Sequence, residues 1–251
     1  MIRFVGAGPG DPELITVKGR SLLQSADVVI YAGSLVNPAL LGFCSEECRI
    51  YNSAEMTLEQ VLQIMVEGHR CGKRIVRLHT GDPSLYGAIR EQMDGLRTAG
   101  IPFEVVPGVS SFSGAAAALK AEYTLPGVSQ SVIMTRMEGR TPVPEKERLR
   151  SLAAHGCTMV IFLSVGMLES VQEELLQGGY AKDTPAAIVF KATWPEERTL
   201  RCPLGELAET GRAHQITHTA LILVGSFLGE EYERSKLYDP SFTTGFREGD
   251  P

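Results

Sequence analysis

Three stretches of this chain place aspartate, serine and bare glycine backbone directly after an apolar run, a combination suited to gripping and orienting a ligand. The first is Phe4-Val5-Gly6-Ala7-Gly8-Pro9-Gly10-Asp11-Pro12-Glu13-Leu14, where a short strand runs into a glycine-rich turn and then a helix. Alternate glycines permit positive φ and close approach of a ligand to the backbone, while Asp11 as N-cap and Pro12 at the first helical position start the helix. The second is His79-Thr80-Gly81-Asp82-Pro83-Ser84-Leu85-Tyr86-Gly87, which repeats the Gly-Asp-Pro tripeptide of residues 10–12 at 81–83. The third, Pro107-Gly108-Val109-Ser110-Ser111, carries two hydroxyls into a small-residue helix expected over residues 114–119. No catalytic triad is visible in the chain.

The first loop looks like a dinucleotide fingerprint but departs from it twice. Asp11 stands where the third glycine belongs, and the acidic residue expected about 20 positions on, after a second strand, is missing, because Asp27 precedes the Val28-Val29-Ile30 run. Cys44 and Cys48 have metal-like spacing, yet no second Cys or His pair completes a site, so they read as buried or idle thiols and no metal is expected. Asp82 equally suits the cap of a following turn, and Ser110 and Ser111 an ordinary helix start.

The elements that must position these loops alternate in the βαβ manner. A helix is expected over 12–25, a strand over 27–31, a possible short helix near 38–42 and a short strand over 49–51. Thr57-Leu58-Glu59-Gln60 reads as a capping box opening a helix whose apolar face is Leu58, Val61, Leu62, Met65 and Val66, ended by Gly72. A strand over 74–79, a helix over 89–98 and a strand over 103–106 follow. This alternation implies a parallel sheet covered on both faces, with ligands received outside the carboxyl ends of its strands. After Ala121 the character changes. Residues 123–127 read as a linker, and further strands are expected at 131–135, 158–163, 186–190, 198–202 and 219–224. Residues 136–144 are too polar and too punctuated by Pro and Gly for regular structure and read as a flap. The expectation is therefore an α/β fold in two α/β domains, 1–120 and 121–251, the N-terminal one with a mainly parallel sheet.

With 251 residues, 43% apolar and 22% charged, the chain has ample material for a core. Its apolar runs fall well short of the roughly 20 residues a membrane span needs, and Met1-Ile2-Arg3 enters a strand without a signal-peptide pattern, so a cytoplasmic protein without a membrane partner is expected. Five cysteines, an odd number, suggest reduced thiols. A net charge of −6 argues against nucleic acid as the partner. Arg136, Arg140, Lys146, Arg148 and Arg150 form a local basic run that serves either as a solvated face or as a surface for an anionic ligand.

Taken together, residues 6–19, 81–87 and 106–111 resemble the tetrapyrrole (corrin and porphyrin) methyltransferases, and the resemblance runs in order along nearly the whole chain. Within that family, Ala32-Gly33-Ser34-Leu35-Val36, Met134-Thr135-Arg136 and residues 235–242 are similar to the members that methylate precorrin-4 at C11 in cobalamin biosynthesis. The resemblance implies two α/β domains with a ligand trough between them, a homodimer, S-adenosylmethionine as methyl donor leaving S-adenosylhomocysteine, and an anionic corrin-type substrate. It places the donor against Pro9, Gly81, Asp82, Leu85, Ser110, Ser111, Leu163, Ala192 and Ala220. The substrate is expected at Asp11, Ser34, Arg136 and Arg140. Such a donor already carries an activated methyl group, so the protein's task is to align an electron-rich carbon and exclude water.

Overall fold

The computed structural model describes residues 1–249 apart from the Ser34 side chain, so Asp250, Pro251 and the expected contact of Ser34 lie outside the described residues. The chain divides into two compact units, Met1–Ala115 with Lys191–Glu197, and Ala116–Phe190 with Arg198 onward.

The first unit is built on β1 (Ile2–Gly6), β2 (Val28–Tyr31), β3 (Arg49–Asn52), β4 (Ile75–His79) and β5 (Phe103–Val106). All are parallel, in the order β3-β2-β4-β1-β5. Strands buried on both faces must be apolar on both, which explains the unbroken apolar run Val28-Val29-Ile30 of β2. Ile2, Phe4, Ile30 and Ile75 form one face with Val61 and Met65 of α2 (Leu58–Arg70) and Leu96 of α3 (Arg90–Thr98). Val5, Val29, Val76 and Leu78 form the other with Leu23 of α1 (Val17–Gln24) and Leu40. The capping box of α2 is formed in both directions, with Thr57 Oγ1 accepting from Gln60 N at 3.4 Å and Gln60 Oε1 from Thr57 N at 2.8 Å.

One expected element is split. The helix expected over 12–25 is a 3₁₀ turn, Pro12–Leu14, followed after two extended residues by α1. Asp11 caps the turn, but Thr16 Oγ1 accepts from Gly19 N at 3.0 Å and begins a new helix, while Ile15 between them is drawn into the core. Helix α4 (Ser111–Leu119) starts three residues earlier than its small residues suggest.

Two polar side chains of β4 are buried inside this unit. Arg77 of β4 donates through Nε to Gln92 Oε1 of α3 at 3.0 Å and through Nη1 to the carbonyls of Ile30 and Leu78 at 3.1 and 3.4 Å. Burial lowers its pKa to about 10. His79 is 3% exposed, stacks on Phe4 with centroids 6.1 Å apart, and its Nε2 has no hydrogen-bond partner among the described residues.

The second unit carries β6 (Val132–Arg136), β7 (Thr158–Phe162), β8 (Pro185–Phe190), β9 (Arg198–Pro203) and β10 (Ala220–Val224), in the order β6-β7-β10-β8-β9. Only β6 and β7 run parallel; the other pairs are antiparallel. Helices α5 (Leu149–Ala153), α6 (Leu168–Gln177) and α7 (Leu207–Ala213) pack on the face of Met159, Ile161, Ile188 and Ile222. Among the described residues, no helix is long and apolar enough to cross a membrane.

Desolvation, with repulsion from Arg77, lowers the pKa of His79 from 6.5 to about 3. The unfolded chain therefore binds a proton that the native state refuses, and stability contributed by neutral His79 drains as pH falls from 6.5 toward 3. The slope is up to about 1.4 kcal/mol per pH unit. Urea unfolding across this window should give a flatter pH dependence for His79→Phe than for the wild type; identical slopes would locate the acid sensitivity elsewhere.

Candidate functional site

The carboxyl ends of the neighbouring strands β4, β1 and β5 bring the three ligand-type loops to one edge of the first sheet. They meet backbone to backbone. A Cβ on Gly6 would lie 2.5 Å from Gly108 Cα and 2.6 Å from Gly81 O, and one on Gly108 would lie 2.2 Å from Gly81 O. Gly6 is therefore glycine for want of space, as is Gly10, whose Cβ would fall 2.0 Å from Trp194 Cδ1, whereas Gly8, at φ +79, matches the expected need for positive φ. Gly81 N donates to Gly8 O at 2.9 Å and Gly8 N to Gly81 O at 3.3 Å, joining the first two loops as a miniature antiparallel bridge.

Asp82 joins the second loop to the third. Its Oδ2 accepts from Gly108 N at 2.9 Å, and its Oδ1 accepts from Ser84 N at 2.8 Å and from the Ser84 hydroxyl. Burial pushes this carboxyl up, but the hydrogen bonds from Ser84 and Gly108 outweigh it and the net pKa is lowered. Asp82 thus caps a turn and also ties two strand ends. Gly81, at φ +58, would direct a Cβ toward Ser111 N and Ser110 Cα at 3.4 and 3.5 Å, ordinary contact distances, so its backbone conformation is what demands glycine. Ser110 is buried beside it, its carbonyl accepting from Ser113 N and Gly114 N at the start of α4. Leu85 N closes the turn onto Asp82 O at 3.2 Å.

Pro9 and Asp11 lie on the first loop. Asp11 N donates to Thr193 Oγ1 at 2.9 Å, and Asp11 Oδ1 accepts from Glu13 N at 2.8 Å. Ala192 is buried in the same short segment as Thr193, which belongs to this unit although it connects β8 to β9.

In the second unit, Arg136, Leu163 and Ala220 share one edge of the sheet. Arg136 ends β6 level with Phe162, and the antiparallel register Ile222↔Ile161 sets Ala220 level with Leu163. Leu163 is 62% exposed at φ +53, an unusual state for a branched apolar residue and one typical of a functional position. Its neighbour Ser164 is fully buried, donating to Phe162 O and accepting from Met137 N, both at 2.7 Å. Nothing in the local pattern around Ser164 announced that clamp.

The basic run resolves into separate roles. Arg136 donates to the carbonyls of Met137, Thr141 and Pro142 at 3.3, 3.1 and 2.8 Å, pinning the irregular 137–142 segment into a closed loop. Arg148 pairs with Glu138 and Arg150 with Glu174. Arg140 is exposed and makes no hydrogen bond or ion pair among the described residues. Cys44 and Cys48 are free, with burial pushing the Cys44 thiol up to about 11, and no cluster of three metal-ligating side chains occurs among the described residues.

The family model of tetrapyrrole (corrin/porphyrin) methylases matches residues 1–208, a span that includes all three loops. The chain is a tetrapyrrole methylase. A cobalt-precorrin-4 C(11)-methyltransferase from Methanocaldococcus jannaschii is 54% identical over 245 residues, covering 97% of this methylase and 95% of the relative. The X-ray structure of a cobalamin biosynthetic enzyme, cobalt precorrin-4 methyltransferase, superposes with a TM-score of 0.89 at 48% identity, covering 91% of this chain and 96% of that one. A uroporphyrin-III C-methyltransferase from Thermus thermophilus, complexed with S-adenyl homocysteine, superposes at 0.75 with 29% identity, covering 91% and 93%.

Asp82 gives a direct test of how the methylase holds its loops. Asp82→Ala leaves Gly108 N without its acceptor and should cost about 1–3 kcal/mol at pH 7 by urea unfolding. Because the native carboxyl has a lowered pKa, the difference from wild type should persist at neutral pH and vanish as pH falls through that lowered value. A variant as stable as wild type at pH 7 would show that the loops are held without this tie.

Proposed function

We propose that this methylase transfers the methyl group of S-adenosylmethionine to C11 of cobalt-precorrin-4, an anionic corrin precursor of cobalamin. The observation that carries the reading is the likeness, over 97% of the chain, to an enzyme of that name. The neighbour complexed with the demethylated donor supports the choice of donor.

The first unit fits such a donor. Pro9, Gly81, Leu85, Ser110, Ser111 and Ala192 offer mainly backbone and small polar groups, while Asp82 turns its carboxylate inward to Gly108 and Ser84 and so fixes the loop. Leu163 and Ala220 are the donor residues of the second unit. The donor supplies a methyl group already activated on its sulfonium, so the residues need only orient it and keep water away. Asp11, Ser34, Arg136 and Arg140 are assigned to the substrate, with Arg140 as the charge that meets a carboxylate and Arg136 as the residue that shapes the loop presenting it. On the same reading the enzyme is a homodimer, as the family resemblance implies, and works in the cytoplasm.

Incubation with methyl-labelled donor and cobalt-precorrin-4 should place the label on C11 by NMR; a methyl at another ring carbon, or none, would overturn the assignment. Gly81→Val forces a β-branched residue to φ +58 and should weaken donor binding about 5- to 150-fold in calorimetry, since such strain is worth roughly 1–3 kcal/mol. Gly100 is the matched control. It is also left-handed, at φ +68, with nothing near its missing Cβ, and Gly100→Val should leave donor affinity unchanged.

Arg140→Ala should weaken substrate binding about tenfold or more, the worth of a charge-assisted hydrogen bond, and leave donor affinity as it was. Arg136→Ala should do the same through its loop. Raising salt should weaken wild-type substrate binding, because exposed charges are screened over about 8–10 Å. Substrate constants unmoved in both variants would make the basic run a solvated face.

A further inference from the structure

Residues 191–197 leave the second sheet at the end of β8, belong to the first unit, and return to begin β9. What they touch there is the glycine-rich loop. Trp194 Nε1 donates to Pro9 O at 3.1 Å, and Thr193 Oγ1 accepts from Asp11 N at 2.9 Å. Between these two, Asn37 Nδ2 donates to Gly10 O at 2.8 Å. Three successive residues of the loop thus have a backbone group held by a side chain from outside it. The fit is close: a Cβ on Gly10 would fall 2.0 Å from the indole Cδ1 of Trp194.

The segment is braced to hold this grip. Thr193 sits at φ +68, costly for a β-branched residue, with its N–H donating to Glu197 Oε2 at 2.6 Å. The Lys191 ammonium lies 5.0 Å over the Trp194 ring and 3.4 Å from Glu196. One residue earlier, Gly8 is bonded to Gly81, so the loop is held at four successive residues from Gly8 to Asp11. The same two residues line a cavity of about 600 Å³ together with Asp11, Pro12, Asn37 and Pro38.

We propose that Thr193 and Trp194 are positioning residues: they hold Pro9–Asp11 in the conformation that receives the methyl donor. The proposal rests on the reading of that loop as part of the donor site. Each acts through a backbone group of the loop.

Two substitutions at one position separate a clamp from a merely structural contact. Thr193→Val keeps the shape and removes the acceptor for Asp11 N; Thr193→Ser keeps the acceptor. The Asp11 amide should exchange with solvent slowly in wild type and Thr193→Ser and faster in Thr193→Val, a readout that needs no ligand. Donor Kd by calorimetry should rise about three- to tenfold in Thr193→Val, the worth of one net hydrogen bond, and stay at the wild-type value in Thr193→Ser. Trp194→Phe, which fills much of the same space without the N–H, should weaken the donor similarly. Equal Asp11 exchange in the two Thr193 variants would overturn the clamp. Faster exchange with unchanged donor affinity would overturn its positioning role. If wild type itself binds no donor, the donor reading of the site fails and the positioning role with it, while the exchange rates still decide whether the clamp exists.

Discussion

The site depends on one contact, the convergence of the Gly6, Gly81 and Gly108 backbones at the carboxyl ends of β1, β4 and β5. Their separation leaves no room for a side chain on Gly6 or Gly108. Three loops far apart in the chain are thereby held by main-chain packing, reinforced by the Gly8–Gly81 bridge and by Asp82 reaching Gly108 N. A site made this way presents peptide groups in fixed positions and few charges. That suits a transfer in which the leaving group comes already activated and the protein contributes alignment.

Behind this edge β4 is buried along its whole length, and its two polar residues are handled differently. Arg77 spreads its guanidinium over a glutamine side chain and two carbonyls and ties α3 to the sheet. His79, whose Nε2 has no hydrogen-bond partner among the described residues, avoids charge altogether, its pKa pushed down by burial and by Arg77. His79, which opens the second loop, is therefore neutral at physiological pH.

The second unit meets its own edge with a different device. A buried serine hydroxyl, Ser164, ties the ends of β6 and β7 and leaves Leu163 exposed in the left-handed region, while Arg136 closes the adjoining loop on three carbonyls. Of the five basic residues between 136 and 150, two are neutralised by glutamates and one is committed to loop backbone. Arg140 is exposed, and it is the residue on which the anionic-substrate reading leans.

Local physics was legible in the sequence. The Thr57 capping box, the apolar face of α2, the all-parallel first sheet and the Gly-Asp-Pro loops at strand ends follow from short-range hydrogen bonding and hydrophobic periodicity, and each stands within a few residues of its expected place. The break at Ile15 and Thr16 was less legible, because Asp11 and Thr16 are both good caps and core burial of Ile15 chose between them. Only the tertiary structure decided why Gly10 is glycine, since its neighbour Trp194 is 184 residues away, and that Thr193, Asn37 and Ser164 serve as clamps. Such contacts pair residues with no periodic or local relation, so their meaning exists only once the chain has closed on itself.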